Sequence, residues 1–428
     1  MRSDRPKVLH MLAGRPMIGH VLAAAEALEA DPIVVVLAPG MDEVARAVAP
    51  HRVAIQAEQR GTGDAVKAAR QALDGFIGDV LVLLGDGPLV RSETLAAMRA
   101  SRRDEAVTVL GIRVAGETPY GRLVQASDGT LDRIVEARDA PPEIRKIDLC
   151  NSGFMLVDGA RLFDLLDRIE TGNVQGEYYL TDIVAVARRA GLTCRVFEAD
   201  MDQPLGINSR AELAQAEAAM QTRLRRQAMD SGATLIDPQT VWFSHDTRLG
   251  RDVTIEPNVF FGPGVSVGDN VQIKAFSHIE GATVENGAII GPFARLRPGA
   301  SIGAAAHIGN FVEVKNARID ARAKANHLSY IGDADVGAGA NIGAGTITCN
   351  YDGFGKYRTV IGAGAFIGSD ATLVAPVTIG DGAFIGAGST ITHNVPADAL
   401  AVARGRQATK PGWAKIFRAK KRAAKDKG

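Results

Sequence analysis

The sequence predicts an α/β domain with a Rossmann-like, mostly parallel sheet, followed by an all-β domain built as a parallel β-helix of hexapeptide repeats. Short apolar runs alternate with amphipathic stretches in the first half of the chain, and a six-residue repeat fills most of the second half. We expect the α/β domain to cover residues 1–207, a linker helix 208–232, the β-helix 233–403 and a basic tail 404–428.

The composition argues against several classes of protein. Lysine plus arginine and aspartate plus glutamate both number 49 among 428 residues, so the formal net charge is zero. This balance predicts neither a nucleic acid nor an anionic membrane as a partner. Three scattered cysteines are too few for a disulfide framework or a zinc site and indicate reduced thiols. No apolar run reaches about 18 residues and no signal-peptide pattern is present, so we expect a cytoplasmic protein.

Continuous apolar runs at 33–37, 80–84 and 106–110 predict buried strands of the first domain. Ligands of such domains bind at the carboxyl ends of the strands. Asp86 lies there, in a Gly-Asp-Gly-Pro motif that directly follows the second run. Its carboxylate is a candidate Mg²⁺ ligand beside a nucleotide, and the alternative is an aspartate that only shapes the turn before proline.

Two further loops of this domain are candidate ligand sites. A Gly-Thr-Gly sequence at 61–63 opens a helix, where free backbone N–H groups can bind phosphate, although glycines in a loop can also serve conformation alone. Ser209 and Glu212 have the spacing of a capping box at the start of another helix. Asn208, just before that cap, is either a ligand or a turn former.

The second half repeats with a period of six. Aliphatic residues recur at this spacing in three blocks, the longest being Ile361, Ile367, Leu373, Ile379, Ile385 and Ile391. Hexads predict a triangular coil of three strands, with one aliphatic side chain per face pointing inward. At a spacing of ~4.8 Å per coil, residues 250–403 make about eight coils and roughly 40 Å of prism.

The register of the repeat breaks once in a way that predicts a protruding loop. Ile347 and Ile361 lie 14 residues apart, two more than a multiple of six. The inserted stretch is rich in turn-forming residues and must leave the wall of the prism. Loops on a rigid frame are frequent binding elements.

Arg297 and Lys315 lie 18 residues apart within an unbroken register, so we expect them at the same place on consecutive coils. Two stacked cations repel unless an anion lies beside them, which favours a phosphate site over two side chains that splay into water. Glu313 should point elsewhere if side chains alternate. His327, 12 residues beyond Lys315, is expected on the same face as a general base, the alternative being a structural histidine.

Six motifs then stand in the order of a known family. They are Pro-Lys-Val-Leu-His at 6–10, Gln-Ala-Glu-Gln-Arg-Gly-Thr-Gly at 56–63, Gly-Asp at 85–86, Tyr-Gly-Arg at 120–122, Gly-Glu-Tyr-Tyr-Leu-Thr-Asp at 176–182 and Gly-Ala-Gly-Thr-Ile-Thr-Cys-Asn-Tyr-Asp-Gly at 343–353. Over nearly its whole length, the chain closely resembles the bacterial bifunctional N-acetylglucosamine-1-phosphate uridyltransferase/glucosamine-1-phosphate N-acetyltransferases. The resemblance implies a nucleotidyltransferase domain, a left-handed β-helix and a homotrimer.

For the β-helix, the resemblance implies acetyl transfer from acetyl-CoA to the amine of glucosamine 1-phosphate, with His327 as the catalytic base. Arg297 and Lys315 would hold the sugar phosphate, and Tyr330 and Asn341 would contact the sugar. The residues implied to line the acetyl-CoA groove are Ala344, Asn350, Tyr351, Ser369, Ala387 and Arg404.

For the first domain, the resemblance implies attack of N-acetylglucosamine 1-phosphate on UTP, with Asp86 and Asn208 as the Mg²⁺ ligands. Contacts to the nucleotide sugar would come from these two residues and from Lys7, Gln56, Gly61, Thr62, Gly85, Gly121, Glu136 and Asn151.

One departure affects the first domain. The family begins with a strand and a glycine-rich phosphate loop, and this chain opens where that loop should be ending. We therefore expect a domain that lacks its first strand and this loop, a misplaced start and poor uridylyl transfer. Two other functions stay open from the sequence: a hexapeptide-repeat sugar-phosphate nucleotidyltransferase of another type, and a non-catalytic scaffold whose prism only assembles subunits.

Overall fold

The computed structural model describes residues 1–199 and 206–425, which form two compact units, Met1–Leu224 and Arg225–Gly428. The boundary between them falls inside the helix Arg210–Asp230, which lies within the stretch where the linker helix is expected. The capping box predicted for this helix is present. The Glu212 N–H donates to the Ser209 hydroxyl at 3.1 Å, and the Ser209 N–H donates to the Glu212 carboxylate at 3.0 Å.

The first unit alternates strands and helices. Its strands are β1 Met11–Leu12, β2 Arg15–Pro16, β3 Val34–Leu37, β4 Arg52–Ile55, β5 Asp79–Val82, β6 Val107–Arg113, β7 Arg122–Gln125, β8 Leu131–Val135, β9 Leu149–Asp158 and β10 Cys194–Glu198. Its α-helices are α1 Met17–Glu26, α2 Asp42–Ala47, α3 Thr62–Ala68, α4 Ser92–Ser101, α5 Pro142–Arg145, α6 Gly159–Asp167, α7 Asp182–Arg189 and α8 Arg210–Asp230, with 3-10 turns at Lys7–Leu9 and Arg70–Leu73.

The main sheet of this unit has the strand order β10-β6-β9-β7-β8, with β5 also paired to β9. β10 and β6 are parallel, but β9 is antiparallel to β5, β6 and β7, and β7 is antiparallel to β8. The α/β prediction is confirmed, and the sheet is mixed rather than mostly parallel. An apolar run indicates burial of a strand but not its direction, which is why the sequence pattern missed β9.

Alternate residues of β9 contribute to two cores. Met155 and Val157 pack with buried residues of α6 and α7, whereas Phe154 and Leu156 pack with buried residues of α4. Because both sides of the strand are covered, its sequence is almost continuously apolar. The site loops of this unit lie around this buried centre.

The second unit is a parallel β-helix with three faces, and every strand pairs in parallel with its neighbours one coil away. In the described part of the chain, the first face consists of Thr234–Leu235, Thr254–Ile255, Gln272–Ile273, Ile289–Ile290, His307–Asn310, Lys324–His327, Asn341–Ile342, Phe366–Ile367, Phe384–Ile385 and Leu400–Ala401.

The second face follows the first in chain order and consists of Phe260–Phe261, His278–Ile279, Arg295–Leu296, Glu313–Lys315, Tyr330–Gly332, Ile347–Cys349, Thr372–Val374 and Thr390–Ile391. The third face consists of Arg248–Leu249, Ser266–Val267, Ala282–Val284, Ala300–Ile302, Arg318–Ile319, Ala334–Val336, Thr359–Ile361 and Val377–Ile379. A 3-10 turn, Pro238–Thr240, lies in the first coil, and helix α9, Trp413–Lys425, follows the prism.

The predicted inward residues fill the interior. Ile361, Ile367, Leu373, Ile379 and Ile385 are buried, as the hexad prediction requires. Ile347 is the exception, because it is 44% exposed and its neighbour Thr348 is buried in its place. A threonine fits this position since its hydroxyl accepts from the Gly332 N–H at 2.8 Å and donates to the Gly332 carbonyl at 3.0 Å. The repeat was therefore assigned one residue too early at this coil.

The loop predicted from the register break is present between the strands Ile347–Cys349 and Thr359–Ile361. It folds back on itself through an antiparallel bridge between Tyr351 and Lys356. The Asp352 carboxylate accepts from the N–H groups of Phe354 and Gly355 at 2.8 and 2.7 Å, which closes the turn. The loop is thus an ordered projection of the prism wall.

None of the helices in residues 1–199 and 206–425 combines the length and the apolar character that a membrane span requires.

Candidate active sites

One row of residues runs along the corner at which the strands of the first face end. Asn310 pairs with His327 on the next coil, and the register Ala325–Ile342–Ile367–Ile385 extends this row by one residue per coil. The row, here called the first-corner row, consists of Asn310, His327, Ala344, Ser369 and Ala387. Arg404 joins its end, because its guanidinium donates to the Ala387 carbonyl at 2.6 Å. The structure therefore brings His327 and four of the six predicted acetyl-CoA residues together.

The ring of His327 is exposed and held by one hydrogen bond. Its Nδ1 lies 2.6 Å from the side-chain oxygen of Asn310. An amide oxygen only accepts hydrogen bonds, so Nδ1 carries the proton and Nε2 keeps a free lone pair. This is the tautomer that a general base needs at Nε2. Sequence reasoning missed Asn310, although its place 17 residues before His327, close to one coil, was available as a signal.

A second site lies where the strands of the second face end. Leu296 pairs with Val314, which places Arg297 and Lys315 in line on consecutive coils, as predicted. The prediction that Glu313 points elsewhere is wrong, because the Glu313 carboxylate accepts from the Arg297 guanidinium at 2.8 Å. Glu313 and Lys315 flank the inward Val314, and residues two apart in a strand share one side.

Lys356, from the loop of the register break, is the third cation of this site. Its ammonium group is in hydrogen-bonding contact with Lys315, and this contact, followed by the charges of Lys356 and Arg297, lowers the pKa of Lys315. Within the described residues, the buried Nε of Arg297 has no hydrogen-bond partner. Three cations and an unused N–H group thus converge, and we call Arg297, Lys315 and Lys356 the cation cluster. Sequence reasoning missed Lys356, since the register shows where the loop leaves but not where it returns.

The remaining two residues predicted for acetyl-CoA lie beside the cation cluster rather than in the first-corner row. Asn350 is buried, and its amide donates to the Asp333 carboxylate, which also accepts from Asn316. These hydrogen bonds lower the pKa of Asp333 although its burial opposes them. Tyr351 is 61% exposed, and its hydroxyl donates to the Gly353 carbonyl at 2.6 Å. Within one chain the six residues therefore form two separate sets.

His327 and Lys315 lie on different faces, so the prediction of a shared face is wrong. A coil takes about three hexads, and 12 residues complete only two of them. Gly332, the coil neighbour of Lys315, follows His327 by five residues, so these two Cα atoms are separated by at most about 17 Å. Tyr330 lies between them and pairs with Glu313, whereas Asn341 begins a first-face strand and pairs with Lys324.

In the first unit, three predicted residues converge on one point. The Lys7 ammonium forms an ion pair with Asp86 and donates to the side-chain oxygen of Asn208 at 2.8 Å. The Ile207 N–H donates to the Asp86 carbonyl at 3.1 Å, which ties the two segments together. A carboxylate and an amide oxygen that share a cation form an oxygen donor set of the kind that Mg²⁺ prefers. Gly85 adjoins them, and a Cβ atom there would contact Val8 at 3.4 Å and Ile18 at 3.6 Å. The neighbouring Leu205 lies outside the described residues.

The Gly-Thr-Gly loop packs against the segment around Tyr178. A Cβ atom on Gly61 would lie 2.6 Å from the Tyr178 carbonyl oxygen, and its φ of +116° also requires glycine. The Thr62 hydroxyl accepts from the Leu180 N–H at 3.0 Å, and the Gln56 amide donates to the Gly61 carbonyl at 3.1 Å. The loop is thus held in one conformation from both sides.

Gly121, Glu136 and Asn151 form a third group. The Asn151 N–H donates to the Gly121 carbonyl at 2.8 Å, and a Cβ atom on Gly121 would lie 3.5 Å from the Glu136 carboxylate. Burial raises the pKa of Glu136, although the hydroxyl of Thr181 donates to its carboxylate at 3.0 Å. The predicted nucleotide-sugar residues therefore form three groups within one unit.

These two folds with their sites define a two-domain transferase, and comparison with known proteins identifies the family. The MobA-like NTP transferase domain matches residues 1–233, and the bacterial transferase hexapeptide (six repeats) matches residues 246–281, 281–316 and 358–393. The prediction of a nucleotidyltransferase followed by a left-handed parallel β-helix is thereby confirmed.

Curated relatives cover the whole chain. The bifunctional protein GlmU of Paramagnetospirillum magneticum is 60% identical over 430 residues, with 100% of this chain and 96% of that protein covered. The bifunctional proteins GlmU of Rhodospirillum rubrum and Azorhizobium caulinodans are 58% and 55% identical, each with 98% of this chain and 94% of that protein covered. The chain belongs to the family of bifunctional GlmU proteins, which confirms the resemblance seen in its motifs.

The contact between Lys356 and Lys315 gives a first prediction. In Lys356→Ala, the pKa of Lys315 should rise towards its ordinary value, because the largest cause of its lowering is removed. Titration of the lysine side-chain resonances by NMR measures this directly. Lys274→Ala, which removes a lysine outside the cation cluster, should leave the pKa of Lys315 unchanged. An unchanged pKa in Lys356→Ala would mean that the loop does not hold Lys356 at this site.

Proposed function

We propose that this chain carries out two reactions that lead to UDP-N-acetylglucosamine. The β-helix transfers acetyl from acetyl-CoA to the amine of glucosamine 1-phosphate, and the first domain then transfers uridylyl from UTP to N-acetylglucosamine 1-phosphate. Membership of a family whose relatives are named bifunctional supports two activities in one chain. The observation that carries the first reaction is the cation cluster beside a histidine with a free Nε2.

The sugar phosphate binds at the cation cluster. Arg297 contributes an unpaired N–H, and Lys315 and Lys356 contribute two positive charges that a phosphate neutralises. Tyr330, between the cluster and His327, and Asn341 contact the sugar ring. A non-catalytic scaffold would leave three mutually repelling cations and a buried, unpartnered guanidinium N–H without a role.

His327 acts as the general base of acetyl transfer. The substrate amine attacks the thioester carbonyl carbon, and Nε2 takes a proton from the nitrogen as the C–N bond forms. The C–S bond then breaks, and the proton passes to the departing thiolate. Asn310 is a positioning residue, because its hydrogen bond to Nδ1 keeps Nε2 deprotonated and oriented.

We propose that acetyl-CoA lies in a groove between copies of the chain in a homotrimer. The first-corner row, with Ala344, Ser369, Ala387 and Arg404, forms one wall. Asn350 and Tyr351 lie in the other set and form the opposite wall from a neighbouring copy. A triangular prism has three flat faces available for such contacts, and hexapeptide repeats support trimeric assembly. Acetyl-CoA and UTP are available in the cytoplasm, where we place the protein.

Uridylyl transfer takes place in the first domain. Asp86 and Asn208 hold Mg²⁺, and Lys7 adds a positive charge at the same point. The metal, when bound, neutralises charge on the reacting phosphates. Gln56, Gly61 and Thr62 contact the nucleotide sugar from one loop, and Gly121, Glu136 and Asn151 from another. Catalysis here is mainly positioning and charge neutralisation.

The acetyltransferase proposal predicts the result of His327→Ala. Acetyl transfer that depends on glucosamine 1-phosphate should fall by ~10²–10⁴-fold, because general-base assistance is lost. The rate of thiol release from acetyl-CoA measures this, and light scattering should still give about three times the mass of one chain. His393→Ala, which removes an exposed histidine outside the row, should keep the wild-type rate. A normal rate in His327→Ala would require another base.

The uridyltransferase proposal predicts the result of Asp86→Asn. Mg²⁺-dependent pyrophosphate release from UTP should fall by about 100-fold or more, since a bound metal supplies several kcal/mol of charge stabilisation. Acetyl transfer by the same variant serves as the internal control and should not change. Equal pyrophosphate release at every Mg²⁺ concentration would show that Asp86 is not a ligand.

A further inference from the structure

The basic tail contains a helix whose side chains are all exposed. Residues 404–428 were expected to be mostly solvated, but Trp413–Lys425 forms the regular helix α9 without a buried residue. Trp413, Ile416 and Phe417 are 56%, 67% and 46% exposed. Three large apolar side chains on one short helix are more than a solvated tail requires, and an isolated helix of this length is marginal in water.

The apolar and charged side chains of α9 lie on different sides. At about 100° per residue, Trp413, Ile416 and Phe417 share one side, while Lys415, Arg418, Arg422 and Lys425 lie on the other. The rings of Trp413 and Phe417 stack at 5.0 Å, and the Lys421 ammonium lies 5.7 Å above the Phe417 ring. Residues 413–425 contain six lysines and arginines and no acidic residue. The helix is therefore amphipathic and strongly cationic.

We propose that α9 binds in the plane of a lipid bilayer surface that contains anionic lipids. A basic side with aromatic and aliphatic residues opposite it is the pattern of helices that lie at the headgroup boundary. Lys420, at the edge of the apolar side, can extend its ammonium group back to the headgroups. Binding buries the three apolar side chains and pairs the six cations with lipid phosphates.

Charge decides between this surface and other occupants. The same helix on a second copy carries the same six positive charges and would repel α9. A nucleic acid would pair with the cations but leave Trp413, Ile416 and Phe417 in water. Only an anionic surface with an apolar interior accepts both sides. The zero net charge of the whole chain hides this helix, because the balance averages over 428 residues.

Trp413 provides a direct probe of this proposal. The chain has two tryptophans, so Trp242→Phe leaves Trp413 as the single fluorophore of the full-length protein. Vesicles of phosphatidylglycerol and phosphatidylcholine should shift its emission to shorter wavelength and sediment with the protein, and added salt should weaken both effects. Vesicles of phosphatidylcholine alone should have little effect. Inorganic phosphate and glycerol 1-phosphate should not shift the emission, which distinguishes a lipid surface from a free phosphate.

Variants of the helix separate its two sides. Lys421→Glu with Lys425→Glu should weaken binding to anionic vesicles by roughly 30-fold or more, since each basic residue near such a surface strengthens binding by about fivefold. Ile416→Ser with Phe417→Ser should abolish the emission shift although the charge is kept. Lys421→Arg with Lys425→Arg is the matched control and should bind like the parent. Both transferase activities report that each variant is folded, because α9 contains none of the proposed site residues.

Several results would overturn the proposal. They are equal binding to neutral and anionic vesicles, an unshifted Trp413 emission, and the same shift with a single-stranded polynucleotide. Protection of Trp413 from acrylamide that depends on protein concentration in the absence of lipid would assign the apolar side to a second copy instead.

Discussion

The interior of the β-helix is the constraint on which the acetyltransferase site depends. One side chain per face must fill the prism, so the chain advances by close to 18 residues per coil and the outward residues stack in fixed rows. This register places Arg297 over Lys315 and Asn310 over His327. The sites are therefore a consequence of packing, since neither pair needs a contact of its own to be held together.

The same register forces like charges into contact. Arg297 and Lys315 cannot move apart along the strand, and the loop that carries Lys356 adds a third cation. The Glu313 carboxylate neutralises part of this charge through Arg297, but the lowered pKa of Lys315 shows that repulsion persists. Charge repulsion that a fold tolerates without an evident structural gain is a mark of a binding site. A phosphate relieves it.

The sequence predicted most of the prism and part of the site, and its errors have physical reasons. Periodicity identified the inward residues and the stacking of Arg297 on Lys315. It misplaced Ile347, because a buried threonine with satisfied hydrogen bonds does not look like an interior residue. It put Glu313 on the wrong side and His327 on the wrong face, where counting by two and by eighteen would have corrected both. Lys356 depends on the fold of a loop, which no repeat encodes.

The first domain was less accessible to such reasoning. Apolar runs located its strands but not the antiparallel direction of β9. Asp86 and Asn208 are 122 residues apart in the sequence, so only the family resemblance paired them, and Lys7 joins them in the structure. The basic helix α9 was missed for a third reason, because a balanced composition conceals a local excess of one charge.

The central claim is that the cation cluster recognises a sugar phosphate, and Arg297→Ala tests it most directly. Steady-state acetyl transfer would be compared for glucosamine 1-phosphate and for unphosphorylated glucosamine, with Arg318→Ala on the third face as the control. We predict that Arg297→Ala raises the KM for glucosamine 1-phosphate by at least about 10-fold, as expected from the loss of one charge-assisted hydrogen bond. The reaction with glucosamine and the KM for acetyl-CoA should change little. Equal losses with both sugars would contradict the account.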